Sequence, residues 1–310
     1  FDSPTGGTDT NAQTTDNNFT VSLSETTDGG ITISSSFKVM DEDSKYDADA
    51  GFTLAFTDGS KLDLINAGNA AGSHAVSIPG SAGSEDVRNT STNVAPTGLD
   101  FMTAATKLGI EYHTAADFVA DGLSASISAS TDTGAAAGAT YRVDSHIAVG
   151  ATYVTDFGDT AVTVGAGYTA AEGSKTGDQV ADDTGGAHVG ISAVTGDLTV
   201  AIGAADGSVA GVSLNGSDEY NGEALKAGVK YVSGDLTFNV GFASGEANDR
   251  AYGADQGTNE DSQDVTSASV SYAVAAGVTA MIGYTSTAST DDGSGTDDGS
   301  AWYIGANMSF

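Results

Sequence analysis

The sequence predicts an all-β chain that folds as a transmembrane antiparallel β-barrel, in a single domain spanning 1–310. Three observations carry this prediction. Apolar and polar residues alternate along almost the whole chain, short and long connections alternate between those runs, and the charged residues gather in the connections. An alternation with period two is typical of β-strands, and strands with one lipid-facing apolar side are the units of membrane barrels.

The alternation is clearest in the final segment. Trp302, Ile304, Ala306, Met308 and Phe310 share one parity, whereas the residues between them are small or polar. The apolar parity fits a lipid-facing surface and the polar parity fits a water-filled lumen. Similar runs lie at 19–23, 31–39, 52–56, 108–112, 123–129, 147–153, 161–168, 189–191, 198–202, 225–231, 236–242, 270–272 and 278–284, and a further strand completes the hairpin that begins at 51.

The connections between these runs predict a meander with two different rims. Glycine supplies positive φ in tight turns, and aspartate bonds its own backbone there; such turns are expected at 28–30, 58–60, 195–197, 233–235 and 275–277. Long polar loops are expected near 40–48, 67–105, 131–144, 172–184, 206–222, 245–263 and 289–298, and 1–18 resembles another. Seven hairpins and one closing strand give 15 visible strands. Short turns at one rim and long loops at the other are typical of a transmembrane barrel.

The charge balance excludes several functional classes. The chain carries 42 acidic and 10 basic residues, a formal charge of −32, and no cysteine. Nucleic acid is not an expected partner, since its binding depends on lysine and arginine contacts. Disulfide frameworks and thiolate metal sites are impossible. The excess of carboxylates predicts a raised cation concentration at the ends of a barrel, and hence a preference for cations.

Two segments resemble those of a known family. The carboxyl-terminal Trp302-Tyr-Ile-Gly-Ala-Asn-Met-Ser-Phe310 resembles the last strand of Gram-negative outer-membrane proteins. The segment 19–38 resembles the second and third strands of general-diffusion porins of the α-proteobacterial, purple-bacterial type. The resemblance implies a trimer of 16-stranded barrels in the outer membrane, with lipid and lipopolysaccharide around it and small hydrophilic solutes and ions diffusing through it. It also implies that the barrel-assembly machinery reads Trp302, Met308 and Phe310, that 1–18 is the first extracellular loop, and that a first strand precedes Phe1.

The same resemblance implies that the long loop 67–105 folds into the lumen and narrows it. A structureless connection of that length calls for a functional reason. The charged candidates on this loop are Glu85, Asp86, Arg88 and Asp100, together with His74. The lumen parity of the strands places the opposing candidates on the wall: Lys38, Lys107, Glu111, Arg142, Asp144, His146, His188, Lys226 and Lys230. An acidic loop opposite a basic wall would set a transverse field across the pore.

The acidic loops could also hold calcium, which prefers oxygen ligands. The candidates are Asp291, Asp292, Asp297, Asp298, Asp182 and Asp183, although their spacing does not match an EF-hand. No other cofactor is expected. Two alternatives stay open at this point: a secreted or surface calcium-binding β-protein of adhesin type, and a plugged barrel with enzymatic activity. A Gly-x-Ser-x-Gly nucleophile motif is missing from the sequence, so we expect no enzyme.

Overall fold

The computed structural model describes residues 19–40, 51–64, 69–80, 109–130, 142–176, 179–181, 184–208, 212–213, 221–248, 260–291 and 295–309. Its strands in chain order are β1 Phe19–Thr26, β2 Thr32–Met40, β3 Phe52–Ala55, β4 Lys61–Leu64, β5 Gly109–His113, β6 Leu123–Ser130, β7 Arg142–Phe157, β8 Thr160–Thr176, β9 Gln179–Ala181, β10 Thr184–Thr195, β11 Leu198–Ser208, β12 Val212–Ser213, β13 Asn221–Ser233, β14 Leu236–Asn248, β15 Glu260–Ala275, β16 Val278–Asp291 and β17 Gly295–Met308. One short helix, α1 Ala70–Ser73, lies between β4 and β5.

The strands form one antiparallel ladder in which each long strand pairs with the next along the chain. The pairing runs from β1 through β8, continues from β8 to β10 and from β11 to β13, and ends at β17. The ladder has 15 strands, as predicted. The short strands β9 and β12 pair with each other beyond it. Among the described residues, no helix is long and apolar enough to cross a membrane.

The two faces of the sheet are inverted relative to those of a water-soluble protein. In β7, Ile147 and Val149 are exposed, whereas His146 and Ala148 are each 1% exposed. We call the face that carries the buried side chains the inner face and the other the outer face. Buried inner positions are mostly Ser, Thr, Asn, His and Ala, while the exposed outer positions are Val, Ile, Leu, Phe, Tyr and Trp. This arrangement confirms the predicted alternation.

The predicted tight turns are present and contain glycines with positive φ. Gly196 between β10 and β11 has φ 56°, and Gly234 between β13 and β14 has φ 60°. In the β3–β4 turn, Asp58 Oδ1 accepts hydrogen bonds from Ser60 N–H and from Ser60 Oγ, at 3.0 and 2.7 Å. Because these donors stabilise the carboxylate, they hold the pKa of Asp58 below its usual value.

Several loops are shorter than predicted, because the strands continue beyond their apolar segments. The loop expected at 289–298 is largely a hairpin in which Asp291 pairs with Gly295. Within the loop expected at 172–184, β8 extends to Thr176 and β9 follows it. These extensions are rich in Ser, Thr, Gly and Asp and lack apolar alternation. Residues of any of these types can form the backbone hydrogen bonds of the ladder. These segments are therefore strands although their sequence does not alternate. The predicted loop 1–18 lies outside the described residues.

Candidate functional site at the inner wall

The inner face is covered by a segment that follows β4. Residues 69–80, which we call the inner segment, begin with Asn69, whose side-chain oxygen accepts hydrogen bonds from the Ala71 and Gly72 N–H groups and caps α1. After α1 the chain continues to Gly80 without regular structure. Ala70 and Ala71 are fully buried and pack against Ala148 of β7. The inner segment therefore lies against the wall of the sheet and does not project into solvent.

Hydrogen bonds fix the first turn of the inner segment to three strands of the wall. The Ala70 N–H donates to Ser128 Oγ on β6 at 3.0 Å. His188 Nε2 on β10 lies 2.7 Å from the Ala71 carbonyl oxygen, to which it donates. Ser73 Oγ donates to Glu111 Oε1 on β5 at 2.6 Å. Buried backbone groups outside a helix or strand need such partners, so the wall supplies what a surface loop would obtain from water.

Glycines on the wall allow the inner segment to approach the strands closely. A Cβ atom at Gly150 would overlap the Ala70 carbonyl oxygen, and one at Gly228 would overlap the Pro79 carbonyl oxygen. At Gly190 it would lie 2.9 Å from Val76 Cβ, too close for van der Waals contact. The glycines beneath the inner segment, which we call the glycine track, are Gly150, Gly165, Gly167, Gly190, Gly203, Gly228 and Gly241.

The glycine track crosses neighbouring strands in register. Gly150 pairs with Gly167, Gly190 pairs with both Gly165 and Gly203, and Gly228 pairs with Gly241. Residues 70–80 pass from β7 to β14 across this track. Adjacent strands lie about 4.8 Å apart, so the crossing covers roughly 24 Å, within the reach of a chain of that length. The inner segment is therefore a strap that crosses the strands nearly at right angles.

A chain of polar side chains extends from the inner segment to the β3–β4 hairpin. His74 contacts Thr152 Oγ1 through Nδ1 and Ser126 Oγ through Nε2, each at 2.8 Å. Ser126 Oγ also lies 2.7 Å from His113 Nδ1, and His113 Nε2 lies 2.9 Å from Asp63 Oδ2. Burial, together with the nearby imidazoles of His113 and His188, lowers the pKa of His74, which favours the neutral ring.

Carboxylates and a lysine surround the far end of this chain. Asp63 accepts a hydrogen bond from Thr53 Oγ1 and lies 3.4 Å from Lys61 Nζ. Glu111 Oε1 is 3.5 Å from His113 Nε2. Glu111 is 1% exposed, which makes it one of the largest fully buried side chains among the described residues. This part of the wall is acidic, polar and hydrogen-bonded throughout.

Five of the predicted wall residues have described side chains on the inner face. Glu111 lies beneath Ser73, and His146 is buried on β7 with Nε2 against Thr169 Oγ1. Lys226 and Lys230 flank Gly228 on β13, next to the far end of the inner segment. His188, also placed on the wall, contacts Ala71. Glu111 on β5 and the two lysines on β13 are separated by strands β6, β7, β8, β10 and β11 of the ladder.

The other predicted site residues fall at strand positions or outside the description. Lys38 lies in β2, Arg142 and Asp144 lie in β7, Asp291 ends β16, and Asp297 and Asp298 are consecutive residues of β17. Glu85, Asp86, Arg88, Asp100, Lys107, Asp182, Asp183, Asp292 and Phe310 lie outside the described residues. Their roles stay predictions.

Sequence reasoning missed Asp63, His113, Ser126 and the glycine track. The first three residues lie on β4, β5 and β6, and no short motif joins them. Parity was the only available signal, because each lies on the same face as Glu111 once the register is known. The glycines were visible in the sequence as small residues on the polar parity. Their common purpose depends on a contact with residues far away in the chain.

The outer face carries aromatic side chains and one row of carboxylates. Tyr284 and Trp302 are directly paired across β16 and β17, with ring centroids 4.6 Å apart. Trp302 and Met308 are exposed. Near the other end of the strands, Asp206 pairs with Glu223, which in turn pairs with Glu246. This outer carboxylate row lies on the same parity as the exposed Ile202, Leu225 and Phe242.

Comparisons with known proteins identify the fold. No protein-family model matches the chain, and no curated protein sequence matches it. Among solved structures, the chain is similar to an anion-selective porin from Comamonas acidovorans, with 13% identity, TM-score 0.63, and 94% of this chain and 88% of that chain covered. A refined porin structure gives 18% identity, TM-score 0.61 and coverage of 94% and 91%. A mutant of Rh. blastica porin gives 16% identity, TM-score 0.54 and coverage of 94% and 89%. The chain therefore has the porin fold, an antiparallel transmembrane β-barrel.

Proposed function

We propose that this protein is an outer-membrane channel through which small hydrophilic solutes and ions diffuse passively. The observation that carries the proposal is the inner segment, which crosses a polar inner wall and is held there by Ser128, His188 and Glu111. A barrel filled with a core would not need a hydrophilic lining. The apolar outer face suits lipid, and the polar inner face suits water.

The geometry favours a channel over an enzyme. Ser126, His113 and Asp63 are connected in the order of a catalytic triad, with Ser126 Oγ 2.7 Å from His113 Nδ1 and His113 Nε2 2.9 Å from Asp63 Oδ2. However, Ser126 Oγ also contacts His74 Nε2, and Ser126 is only 6% exposed. A nucleophile needs room for a substrate carbonyl and donors for its oxyanion. The role of Ser126 is therefore to hold the inner segment against the wall through its contact with His74.

We further propose that the pore prefers cations. The formal charge of −32 supports an accumulation of cations at the pore mouths. Lys226 and Lys230, which flank the glycine beneath Pro79 on β13, oppose this preference locally. The buried Glu111 and the half-buried Asp63 support it on the other side of the inner segment. Whether the pore selects cations or anions depends on which of these charged groups lines its narrowest part.

The setting of the channel forms part of the same proposal. A homotrimer in the outer membrane of a Gram-negative bacterium fits the porin fold, as does folding by the barrel-assembly machinery through the terminal strand of Trp302 and Met308. A relationship to purple-bacterial porins stays a prediction from segment 19–38. Calcium between acidic groups and lipopolysaccharide is supported by the outer carboxylate row, because carboxylates are calcium ligands and directly opposed like charges repel each other.

Planar-bilayer conductance tests the proposed function. The refolded, heat-modifiable protein is added to a bilayer, and stepwise insertions are recorded together with the reversal potential in a salt gradient. We expect large ohmic steps, in groups of three for a trimer, and a cation-selective reversal potential. Folded protein that inserts into the bilayer and conducts no current would contradict the channel. An anion-selective reversal would retain the channel and assign control of selectivity to the wall lysines.

A Lys226→Met and Lys230→Met double variant separates the two charge sources. If these lysines face the permeating ions, their removal shifts the reversal potential further toward cations. Glu25→Gln is the control, because it also changes one charge but Glu25 is exposed and pairs with the exposed Ile33 on the outer face. An unchanged reversal potential in the double variant would remove the two lysines from the conduction path.

A further inference from the structure

We propose that Asp63, Glu111 and His113 form a binding site for a divalent transition-metal ion of the zinc class on the inner wall of the barrel. One ligand atom of each residue lies within 4.8 Å of the others. Asp63 Oδ2 is 2.9 Å from His113 Nε2, and His113 Nε2 is 3.5 Å from Glu111 Oε1. Metal–ligand bonds of about 2.1 Å in a tetrahedron place the ligand atoms about 3.4 Å apart, so the separations already suit a bound ion.

The backbone positions the three side chains without help from a metal. Asp63 on β4 is the direct cross-strand partner of Glu111 on β5, and His113 follows Glu111 by two residues on the same inner face. Paired strands fix such positions more precisely than loops do. All three ligands therefore belong to strands of the barrel wall.

Each of the three ligands also has a hydroxyl partner that orients it. Thr53 Oγ1 donates to Asp63, Ser73 Oγ donates to Glu111 at 2.6 Å, and Ser126 Oγ lies 2.7 Å from His113 Nδ1. A histidine that binds metal through one ring nitrogen usually makes a hydrogen bond through the other. In the metal-free protein His113 Nε2–H donates to Asp63 Oδ2. A bound ion would displace this proton, and Ser126 Oγ can then accept a hydrogen bond from Nδ1–H and fix the tautomer whose Nε2 lone pair binds the ion.

The ligand set indicates which class of metal would bind. Imidazole suits Zn²⁺, Cu²⁺ or Ni²⁺, whereas Ca²⁺ and Mg²⁺ prefer oxygen ligands alone. Three protein ligands leave a fourth position for water or a solute group. The side chains of Asp63 and His113 are 21% and 14% exposed, which gives an ion access from the lumen. In the metal-free protein Lys61 Nζ, 3.4 Å from Asp63 Oδ2, balances part of the negative charge.

Zinc binding to the folded protein in detergent tests this inference. Isothermal titration with Zn²⁺ is performed in excess Ca²⁺, which competes for sites that offer oxygen ligands alone, and the visible absorption of bound Co²⁺ reports coordination by nitrogen. We expect saturation by a single ion per chain. His113→Asn should abolish saturable binding, and Ser126→Ala should weaken it about tenfold, since it loses the orienting partner. His146→Asn, which removes another buried inner-wall histidine, should bind like the wild type.

The Lys61→Met variant tests the site through a gain of affinity, which a misfolded protein could not show. Because it removes a cation that competes for Asp63, it should bind Zn²⁺ more tightly than the wild type, and heat-modifiable migration confirms its folding. Folded wild-type protein without saturable Zn²⁺ binding would overturn the site. So would equal Zn²⁺ affinities in the wild type and in a folded His113→Asn variant. None of these measurements requires the protein to conduct ions.

Discussion

Ser73 Oγ donates a hydrogen bond of 2.6 Å to Glu111 Oε1, and this contact joins the exposed end of α1 to the most deeply buried carboxylate among the described residues of the inner wall. The two residues are separated by 38 positions in the sequence. Glu111 is 1% exposed and has little access to water. The bond therefore satisfies a charge that the barrel cannot easily hydrate, and at the same time it holds the inner segment in place.

Replacement of Ser73 by Ala should loosen the start of the inner segment. A hydrogen bond to a charged group contributes about 1.5–3 kcal/mol, so the amide protons of α1 and His74 should exchange with solvent at least tenfold faster. Hydrogen exchange followed by mass spectrometry measures this change. Ser36→Ala, at an exposed serine of β2, is the control and should exchange at the wild-type rate. Unchanged exchange in Ser73→Ala would show that the bond holds nothing in place.

Replacement of Gly228 by Ala should displace the far end of the inner segment. The added Cβ would overlap the Pro79 carbonyl oxygen, so the backbone at Gly228 or at Pro79 must move. Overpacking of this kind costs roughly 1–3 kcal/mol. We expect a lower melting temperature and an altered single-channel conductance. Gly305→Ala is the matched control, because its Cβ would meet only Met281 Cγ at 3.9 Å. Equal effects at the two glycines would argue against a close contact between the inner segment and the glycine track.

Acidification should release the inner segment through His74. Its pKa is lowered, so folding favours the neutral ring, and this contribution is complete above the unfolded pKa of about 6.5. Below that pH the unfolded segment gains a proton more readily than the folded one, and stability falls as the pH falls. The protection factors of the amides of residues 71–74, which correct for the slower intrinsic exchange at lower pH, should fall between pH 7 and pH 5. His74→Asn should flatten this dependence; an equally steep dependence in that variant would assign it to other groups.

The sequence alone was sufficient for the number of strands in the ladder, although not for the polar ends of several strands or for the position of the inner segment. The parity of Trp302, Ile304 and Met308 follows from a physical requirement, since a strand in lipid must present apolar groups on one side. The position of the inner segment depends instead on contacts such as Gly228 with Pro79, which join distant parts of the chain. A glycine has no side chain from which such a partner could be inferred. For the same reason Asp63, His113 and Ser126 became a group only when the register of β4, β5 and β6 was known.

The outer carboxylate row predicts stabilisation by calcium at one rim. Asp206, Glu223 and Glu246 are directly opposed across β11, β13 and β14, and like charges in that position destabilise a sheet. A divalent cation between them would reverse the effect. The wild-type melting temperature should therefore rise when Ca²⁺ replaces a chelator.

Glu223→Gln, which neutralises the central group, should melt at a higher temperature than the wild type in chelator and should respond less to Ca²⁺. Asp235→Asn, in the turn at the opposite rim, should respond to Ca²⁺ as the wild type does. A calcium response of the same size in Glu223→Gln and in the wild type would place the bound calcium elsewhere on the protein.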